Sequence, residues 1–210
     1  MGDEEHTFGE IEETFKRAVA TLQAAEIPFL LGGSLASWAR GGPRTHNDLD
    51  FMVRPEDAGR ALEVLTGAGM RPERPAEDWL LKAWDGDVLV DLIHRPKGLE
   101  IGDAVLARGE FRDVAAMRVR VMALEDVLTS KLLALDEHSL DYGSALQIVR
   151  SLREQIDIDE VRARTSDSPY ARAFFGLLEE LGIVDRTPPT AVPGSARVRV
   201  VESGSGTRRA

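Results

Sequence analysis

The segment that decides the fold is residues 29–53, which read FLLGGSLASWARGGPRTHNDLDFMV. It begins with a short apolar run, Phe29–Leu31, and ends with a second one at 48–53. Short apolar runs bounded by glycine, proline or asparagine are typical of buried strands. Between them, the adjacent glycines 32 and 33 predict a turn, and residues 35–40 have the composition of a helix. The segment therefore predicts a strand, a glycine turn, a short helix and a second strand.

The elements outside this segment are predicted from apolar periodicity and from turn residues. The predicted helices are 8–25, 55 to 67 or 69, 101–108, 124–137, 141–152, 159–165 and 170–181. The predicted strands are 117–122 and a hairpin of 79–84 and 87–93, joined by Asp85-Gly86, a dipeptide typical of type I′ turns. Strands and helices are interspersed as far as residue 122 and only helices follow, which predicts an α+β fold.

Length and composition restrict the class of protein. With 210 residues the chain is long enough for one domain with appendages. It has no uncharged apolar run of the ~18 residues that a membrane span needs, and residues 1–15 carry six acids and no base, unlike a targeting peptide. Because the sequence has no cysteine, disulfides, thiolate metal sites and thiol catalysis are excluded. These features predict a cytoplasmic protein without membrane association.

Charge is unevenly distributed. The sequence has 26 Lys and Arg against 36 Asp and Glu, a net charge of −10, yet residues 186–210 carry five arginines and one glutamate. An acidic body repels a long polyanion, which disfavours extended nucleic-acid binding. The basic candidates for a local RNA patch before the tail are Arg108, Arg112, Arg118 and Arg120. Residues 185–210, rich in proline, glycine and serine, are predicted to be a disordered tail.

Three aspartates occupy positions where charge is costly. Asp48 and Asp50 are two positions apart on a predicted strand, so both carboxylates project from one face. Asp91 interrupts the apolar run Val88–Ile93, where an unpaired charge is unfavourable. If the two strands are neighbours, the three carboxylates can hold two Mg²⁺ or Mn²⁺ ions for phosphoryl or nucleotidyl transfer. The alternatives are a solvated strand end for the first two aspartates and a structural ion pair for Asp91.

Further polar residues lie around this predicted site. Gly33 and Ser34 connect a strand to a helix, where backbone N–H groups and a hydroxyl can bind phosphate, although Ser34 can equally be an N-cap. Lys131 interrupts an apolar helical stripe, so it extends to solvent, pairs with an acidic group or meets a ligand phosphate. Arg40 and Arg44 either add positive charge beside the site or are ordinary loop arginines.

The combined pattern resembles a known superfamily. Gly33-Ser34, thirteen intervening residues, Asp48-Leu49-Asp50 and a later Asp91 resemble the nucleotidyltransferases that include DNA polymerase beta. The wider context, with VLVDLIH at 88–94 and LEDVLTSKLLAL at 124–135, is similar to small bacterial members, the lincosamide-type antibiotic nucleotidyltransferases and abortive-infection toxins. The resemblance covers about residues 10–155. It implies a catalytic core at 1–122 with a mixed β-sheet flanked by helices, a helical part at 123–184 and the tail at 185–210.

The resemblance also implies roles for individual residues. Gly33 and Ser34 would hold the β- and γ-phosphates of a nucleoside triphosphate, and Lys131 would contact the triphosphate from the first C-terminal helix. Asp48, Asp50 and Asp91 would bind the two metal ions, and Asp91 would help to deprotonate the acceptor hydroxyl. The implied reaction transfers a nucleoside monophosphate, from ATP in the first instance, to a hydroxyl of a small molecule, a tRNA or a protein, and releases pyrophosphate.

The sequence is compatible with two classes of function. One is the metal-dependent enzyme, for which the acidic body favours a cationic small acceptor over RNA. The other is a non-catalytic nucleotide-binding protein or one half of a toxin–antitoxin pair, held by protein contacts. Loss of one carboxylate is expected in an inactive member, and here all three are present.

Overall fold

The computed structural model describes residues 8–43 and 48–185. The strands are β1 (Phe29–Leu31), β2 (Leu49–Val53), β3 (Arg71–Glu73), β4 (Leu80–Asp85), β5 (Val88–Ile93), β6 (Glu110–Val114) and β7 (Met117–Val121). The helices are α1 (Phe8–Ala24), α2 (Gly33–Trp38), α3 (Ala58–Gly67), α4 (Asp103–Arg108), α5 (Leu124–Ala134), α6 (Gly143–Leu152), α7 (Ile158–Arg164) and α8 (Pro169–Glu180). Within this described part of the chain, no helix has the length and hydropathy of a membrane span.

All seven strands belong to one sheet, in the order β3-β4-β5-β2-β1-β7-β6. β2 is parallel to β5 and β1 is parallel to β7, whereas the other neighbouring pairs are antiparallel. The sheet is therefore mixed and is flanked by helices, which confirms the predicted α+β class. The two strands that carry Asp50 and Asp91 are neighbours within it.

The hydrophobic core extends over both faces of the central strands. On one face, Leu49 and Phe51 of β2 and Leu92 of β5 are completely buried beneath α1 and α3. Phe15 of α1 stacks on Phe51 with ring centroids 6.4 Å apart. Burial of each large apolar side chain stabilises the fold by roughly 1.5–3 kcal/mol. Because side chains alternate along a strand, Asp50 projects from the opposite face, beside α2 and α5.

The predicted hairpin is present as β4 and β5, but its turn differs from the prediction. Asp85 pairs with Val88, so the two-residue turn is Gly86-Asp87 rather than Asp85-Gly86. Of these two turn residues only Gly86 has a positive φ, +59°. A glycine with positive φ at the first turn position is typical of a type II′ turn. A type I′ turn requires a positive φ at both turn positions.

Two edge strands, β3 and β6, are not predicted from the sequence. β3 contains Pro72, which lacks a backbone N–H and is tolerated at a sheet edge. β6 is mostly exposed and joins β7 through Ala115 and Ala116, whose φ angles are 49° and 63°. These positive angles usually require glycine or asparagine, so two alanines give no turn signal in the sequence.

The chain beyond β7 is helical in the described residues. The first of these helices, α5, ends at Ala134 rather than at the predicted Glu137. The Asp136 carboxylate accepts hydrogen bonds from the N–H groups of His138 and Ser139, both 2.9 Å long, and such a turn competes with helix. The division into a core at 1–122 and a helical part at 123–184 stays a prediction. The predicted disordered tail lies outside the described residues except for Asp185.

A buried charge cluster holds the start of α5. The Asp126 carboxylate is fully buried and accepts hydrogen bonds from Arg108 of α4, at 2.5 and 3.1 Å, and from Arg164 of α7, at 2.7 Å. Hydrogen bonding to Asp126 raises the pKa of Arg108. The cluster therefore connects three helices through one side chain, and it fixes the helix that carries Lys131.

We expect Asp126→Ala to lower the free energy of unfolding by roughly 3 kcal/mol, because it leaves two arginines without their shared carboxylate. The measurement is urea denaturation at neutral pH. Asp113→Ala is the matched control, since Asp113 is exposed and lies 3.7 Å from Arg118, and its cost should stay within about 0.5 kcal/mol. An equal cost for the two variants would contradict a structural role for the cluster.

Candidate active site

Asp50 and Asp91 lie side by side on neighbouring strands. In the parallel ladder between β2 and β5, the Cα of Asp50 is in register with the Cα of Asp91. Both side chains are largely shielded from solvent, and Asp91 has 13% of its side chain exposed. The two residues that the sequence predicted to meet are therefore adjacent on one face of the sheet.

Burial changes the acidity of both carboxyl groups. Desolvation is the largest cause and raises the pKa of Asp50 to about 7; the charge of Asp91 raises it further, and the charge of Lys131 opposes this. Desolvation also raises the pKa of Asp91 to about 6, against the lowering effect of Lys82. Near neutral pH both groups are poised between protonated and ionised forms, as is common at catalytic sites.

Asp48 is placed differently from the prediction. It is exposed and immediately precedes β2, which begins at Leu49, so it is not part of the strand. Its charge nevertheless raises the pKa of both Asp50 and Asp91. Over residues 8–43 and 48–185, no three carboxylate or imidazole side chains already form a metal-binding group. The structure thus brings two of the three aspartates together and leaves the third at the mouth of the site.

A cation that the sequence did not indicate lies beside Asp91. Lys82 of β4 is in register with Asp91, and its Nζ lies 3.6 Å from Asp91 Oδ1. That oxygen is buried and has no hydrogen-bond partner in the described part of the protein. The register of an antiparallel hairpin follows from its turn, so a correct assignment of the turn at Gly86-Asp87 would have placed Lys82 opposite Asp91.

The glycine turn packs directly against Asp50. The N–H of Gly32 donates a 2.8 Å hydrogen bond to the Asp50 carbonyl, and Gly33 has φ +54°. A Cβ at Gly33 would lie 1.6 Å from Asp50 Oδ2, so a side chain at this position is sterically excluded. Ser34 is half-buried inside α2, which begins at Gly33, and Gly32 occupies the N-cap position. The alternative role of Ser34 as an N-cap is therefore wrong.

Lys131 lies on the opposite wall of the site. It is half-buried on α5 and lines a cleft together with Gly33 and Asp50. Among the described residues it forms no ion pair within 4.0 Å, and its charge acts on Asp50. Its position favours a ligand-facing role over simple extension to solvent.

The cleft has a volume of about 620 Å³ and extends from Asp50 along β2 and β5. Met52 and Ile93 form an apolar part of its lining. Its further lining includes polar and aromatic residues that the sequence analysis did not single out as a group, namely Asp78, Trp79, Arg95 and Lys97. Clefts of a few hundred Å³ with an apolar lining and a few polar groups are typical of small-molecule sites.

The two loop arginines do not complete this cleft in the described structure. Arg40 donates hydrogen bonds to the Glu110 carboxylate at 2.9 Å and to the Met122 carbonyl at 3.1 Å. Only 6% of its side chain is exposed, so Arg40 is a structural residue that connects the end of α2 to β6 and β7. Arg44 lies outside the described residues, and its predicted role stays a prediction.

The raised pKa of Asp50 predicts how stability varies with pH. Folding raises this pKa from 3.8 to about 7, so the protonated form is favoured and the free energy of unfolding falls as pH rises between those values. In EDTA, the free energy of unfolding of the wild type should fall between about pH 4.5 and about pH 8. The fall should be roughly 2–4 kcal/mol larger than that of Asp50→Asn, at 1.36 kcal/mol per pKa unit. Urea denaturation at a series of pH values measures how the free energy of unfolding of each protein depends on pH.

The control for this experiment is Asp113→Asn, which removes an exposed carboxylate far from the cleft. Its unfolding free energy should follow the wild-type dependence on pH. Equal pH slopes for the wild type and Asp50→Asn would show that Asp50 carries no destabilising charge in the folded state.

Solved structures resemble the fold described above. The antibiotic-resistance factor ANT(2″)-Ia in solution has 18% sequence identity, with 81% of this chain and 96% of that chain covered and a TM-score of 0.56. The lincosamide antibiotic adenylyltransferase LnuA with lincomycin bound has 10% identity, coverage of 73% and 96%, and a TM-score of 0.46. An antigenic nucleotidyltransferase-like protein from Paracoccidioides brasiliensis has 13% identity, coverage of 83% and 89%, and a TM-score of 0.49. The likeness to ANT(2″)-Ia shows a shared fold.

Sequence comparison gives the family. No curated protein matches the chain. One protein family does match, over residues 11–172, a range that includes the glycine turn, the three aspartates and Lys131. This match confirms the resemblance inferred from the Gly-Ser turn and the spaced aspartates. The chain belongs to the family described as nucleotidyl transferase of unknown function (DUF2204).

Proposed function

We propose that the protein transfers a nucleoside monophosphate from a nucleoside triphosphate to an acceptor hydroxyl and releases pyrophosphate. The observation that carries this proposal is the pair Asp50 and Asp91, held in register beside the Gly33 turn. Phosphoryl-group transfer is catalysed mainly by positioning and by neutralisation of charge, and it needs few covalent steps from the protein. The pair of carboxylates, the glycine turn and Lys131 supply the groups that such a reaction uses.

The nucleotide is proposed to bind with its phosphates between the glycine turn and α5. The backbone N–H groups at the start of α2 and the Ser34 hydroxyl are the groups proposed to bind the phosphates, while the missing side chain of Gly33 makes room for the Asp50 carboxylate. Lys131 faces the turn across the cleft as a half-buried cation. A triphosphate would provide the negative charge that this lysine lacks in the described structure. ATP is the donor that we propose to test first.

The carboxylates fit a divalent cation. Asp91 Oδ1 is buried and has no hydrogen-bond partner among the described residues, although Lys82 Nζ lies 3.6 Å away, and Asp50 lies beside it, so two desolvated acidic groups share one small region. Oxygen donors of this kind suit Mg²⁺ or Mn²⁺. Asp48, Asp50 and Asp91 are the residues proposed to hold two such ions. When bound, they would neutralise charge on the triphosphate and lower the pKa of the acceptor hydroxyl.

Asp91 is the proposed acceptor of the proton. Its carboxylate lies level with Asp50, where the α-phosphorus is proposed to bind, so it can accept the proton of the attacking hydroxyl. The acceptor oxygen forms a bond to the α-phosphorus, the bond from that phosphorus to the pyrophosphate oxygen breaks, and the hydroxyl proton passes to the Asp91 carboxylate. Lys82, 3.6 Å from Asp91, keeps that carboxylate charged before the acceptor arrives.

We propose a small, cationic hydroxyl compound as the acceptor. The net charge of −10 attracts cations and repels RNA. The four arginines considered for an RNA patch all have protein partners: Asp126 for Arg108, Glu110 for Arg112, Asp113 for Arg118 and the Leu106 carbonyl for Arg120. The fold is similar to that of an antibiotic-resistance factor, which agrees with a small acceptor. A purely non-catalytic role is disfavoured because all three aspartates are retained.

Asp48→Asn and Asp50→Asn are each expected to lower transfer by about 10³-fold or more, because each removes a carboxylate proposed to bind metal. The assay follows label from α-³²P-ATP into metabolite, RNA or protein fractions of a cell extract, with Mg²⁺. Wild-type protein should also gain thermal stability from Mg²⁺ and ATP together. Asp113→Asn is the control with normal transfer. Full turnover by either active-site variant would refute the metal assignment.

The two residues of the glycine turn should differ in their response to alanine. In Gly33→Ala the new Cβ overlaps Asp50 Oδ2 and the positive φ costs about 1–2 kcal/mol, so both transfer and stability should fall. Ser34→Ala should leave the unfolding free energy within about 0.5 kcal/mol of wild type and raise the KM for ATP several-fold. An unchanged KM would assign Ser34 a structural role only.

A further inference from the structure

The cleft contains an exposed tryptophan on the β4 side of the sheet. Trp79 immediately precedes β4, and 41% of the residue is exposed. Its backbone is fixed, because its carbonyl accepts hydrogen bonds from the N–H groups of His94 at 3.0 Å and Arg95 at 3.1 Å. An exposed indole on a fixed backbone inside a cleft offers a flat apolar surface with little conformational entropy to lose on binding.

The cleft is apolar between Asp50 and this tryptophan. Met52 and Ile93 continue along the same face of β2 and β5 and are 3% and 9% exposed. Two strand spacings and three residues of β4 separate Asp50 from Trp79, which corresponds to roughly 14 Å between their Cα atoms. That separation suits a ligand with a charged end at the aspartates and a planar end at the indole.

We propose that Trp79 binds the nucleobase of the donor nucleotide by stacking, which makes it a specificity-determining residue. This inference rests on the proposed function, because it assumes that the phosphates lie at the Gly33 end of the same cleft. Arg95 and Lys97 are exposed beside the indole and form no ion pair within the described residues. A cation beside the indole can also contact the face of a stacked base, since aromatic rings attract cations.

The nucleobase, rather than the acceptor, is assigned to this end because Trp79 and the proposed proton acceptor lie at different levels along the strands. Asp91 is level with Asp50 and Lys82, whereas Trp79 lies three residues from Lys82 along the chain. The attacking oxygen and the leaving pyrophosphate must lie on opposite sides of the α-phosphorus. With pyrophosphate at the glycine turn and the proton acceptor at Asp91, the acceptor enters beside Lys82, and the cleft is left for the nucleoside.

The test compares three ligands by isothermal titration calorimetry in Mg²⁺ with the full chain. The ligands are α,β-methylene-ATP, which cannot be cleaved at the reacting bond, tripolyphosphate and adenosine. Trp79→Ala should weaken binding of the ATP analogue about tenfold, at the lower end of the effect of losing one base stack. The affinity for tripolyphosphate should not change, because the phosphates do not touch the indole.

Two further variants make the result specific. Trp79→Phe keeps an aromatic face, so its affinity for the ATP analogue should stay within about threefold of wild type. It should also lose the fluorescence quenching that the analogue causes in the wild type, since the stacked indole is gone. Phe111→Ala removes an exposed aromatic residue from β6, at the far edge of the sheet, and should bind all three ligands like the wild type.

The outcomes separate this inference from the proposed function. If the wild type binds tripolyphosphate but Trp79→Ala leaves the preference for the ATP analogue over tripolyphosphate unchanged, the stacking role is refuted and the proposed function stands. If Trp79→Ala weakens both ligands equally, the tryptophan only shapes the cleft and stacking is again refuted. If the wild type binds neither triphosphate ligand, the proposed function fails and this inference fails with it.

Discussion

Two carboxylates held at the same level of neighbouring, largely buried strands are the constraint on which the rest of the site depends. The register of β2 against β5 cannot slip by one residue, because a slip would turn Asp50 or Asp91 towards the apolar layer under α1 and α3. Desolvation raises the pKa of both carboxyl groups, and the charge of Asp91 raises that of Asp50 further. Nearby positive charge opposes both shifts, from Lys131 at Asp50 and from Lys82 at Asp91.

The chain uses its two kinds of cation for different purposes. Arg40, Arg108 and Arg164 each bind carboxylates or carbonyls that connect separate elements of the scaffold. Lys82 and Lys131 instead lie at the site, half-buried and with few fixed partners. A planar guanidinium makes several directed bonds at once, whereas an ammonium is a mobile point charge that a ligand can displace. The three arginines therefore stabilise the scaffold, whereas the two lysines provide positive charge at the site.

The sequence was sufficient for the fold class and for the meeting of Asp50 with Asp91, because buried strands are read from apolar runs and a charge inside one is conspicuous. Other features either have no signal in the sequence or have one that fits more than one structural role. The β6 hairpin turns on two alanines, and Arg40 next to a predicted site looked functional although its partners lie on distant strands. Lys82 was overlooked because a shift of the hairpin turn by one residue changes which side chain faces Asp91.

The hairpin of β4 and β5 also restricts where residues can be inserted or deleted. Lys82 lies opposite Asp91 because the two-residue turn fixes the register of β4 against β5. An insertion or deletion of one codon within either strand between the turn and these residues would place Leu81 or Ala83 opposite the aspartate and direct the lysine into the apolar layer. The ion pair therefore restricts changes of length in residues 82–85 and 88–91, whereas residues added in the exposed turn between them leave the register unchanged.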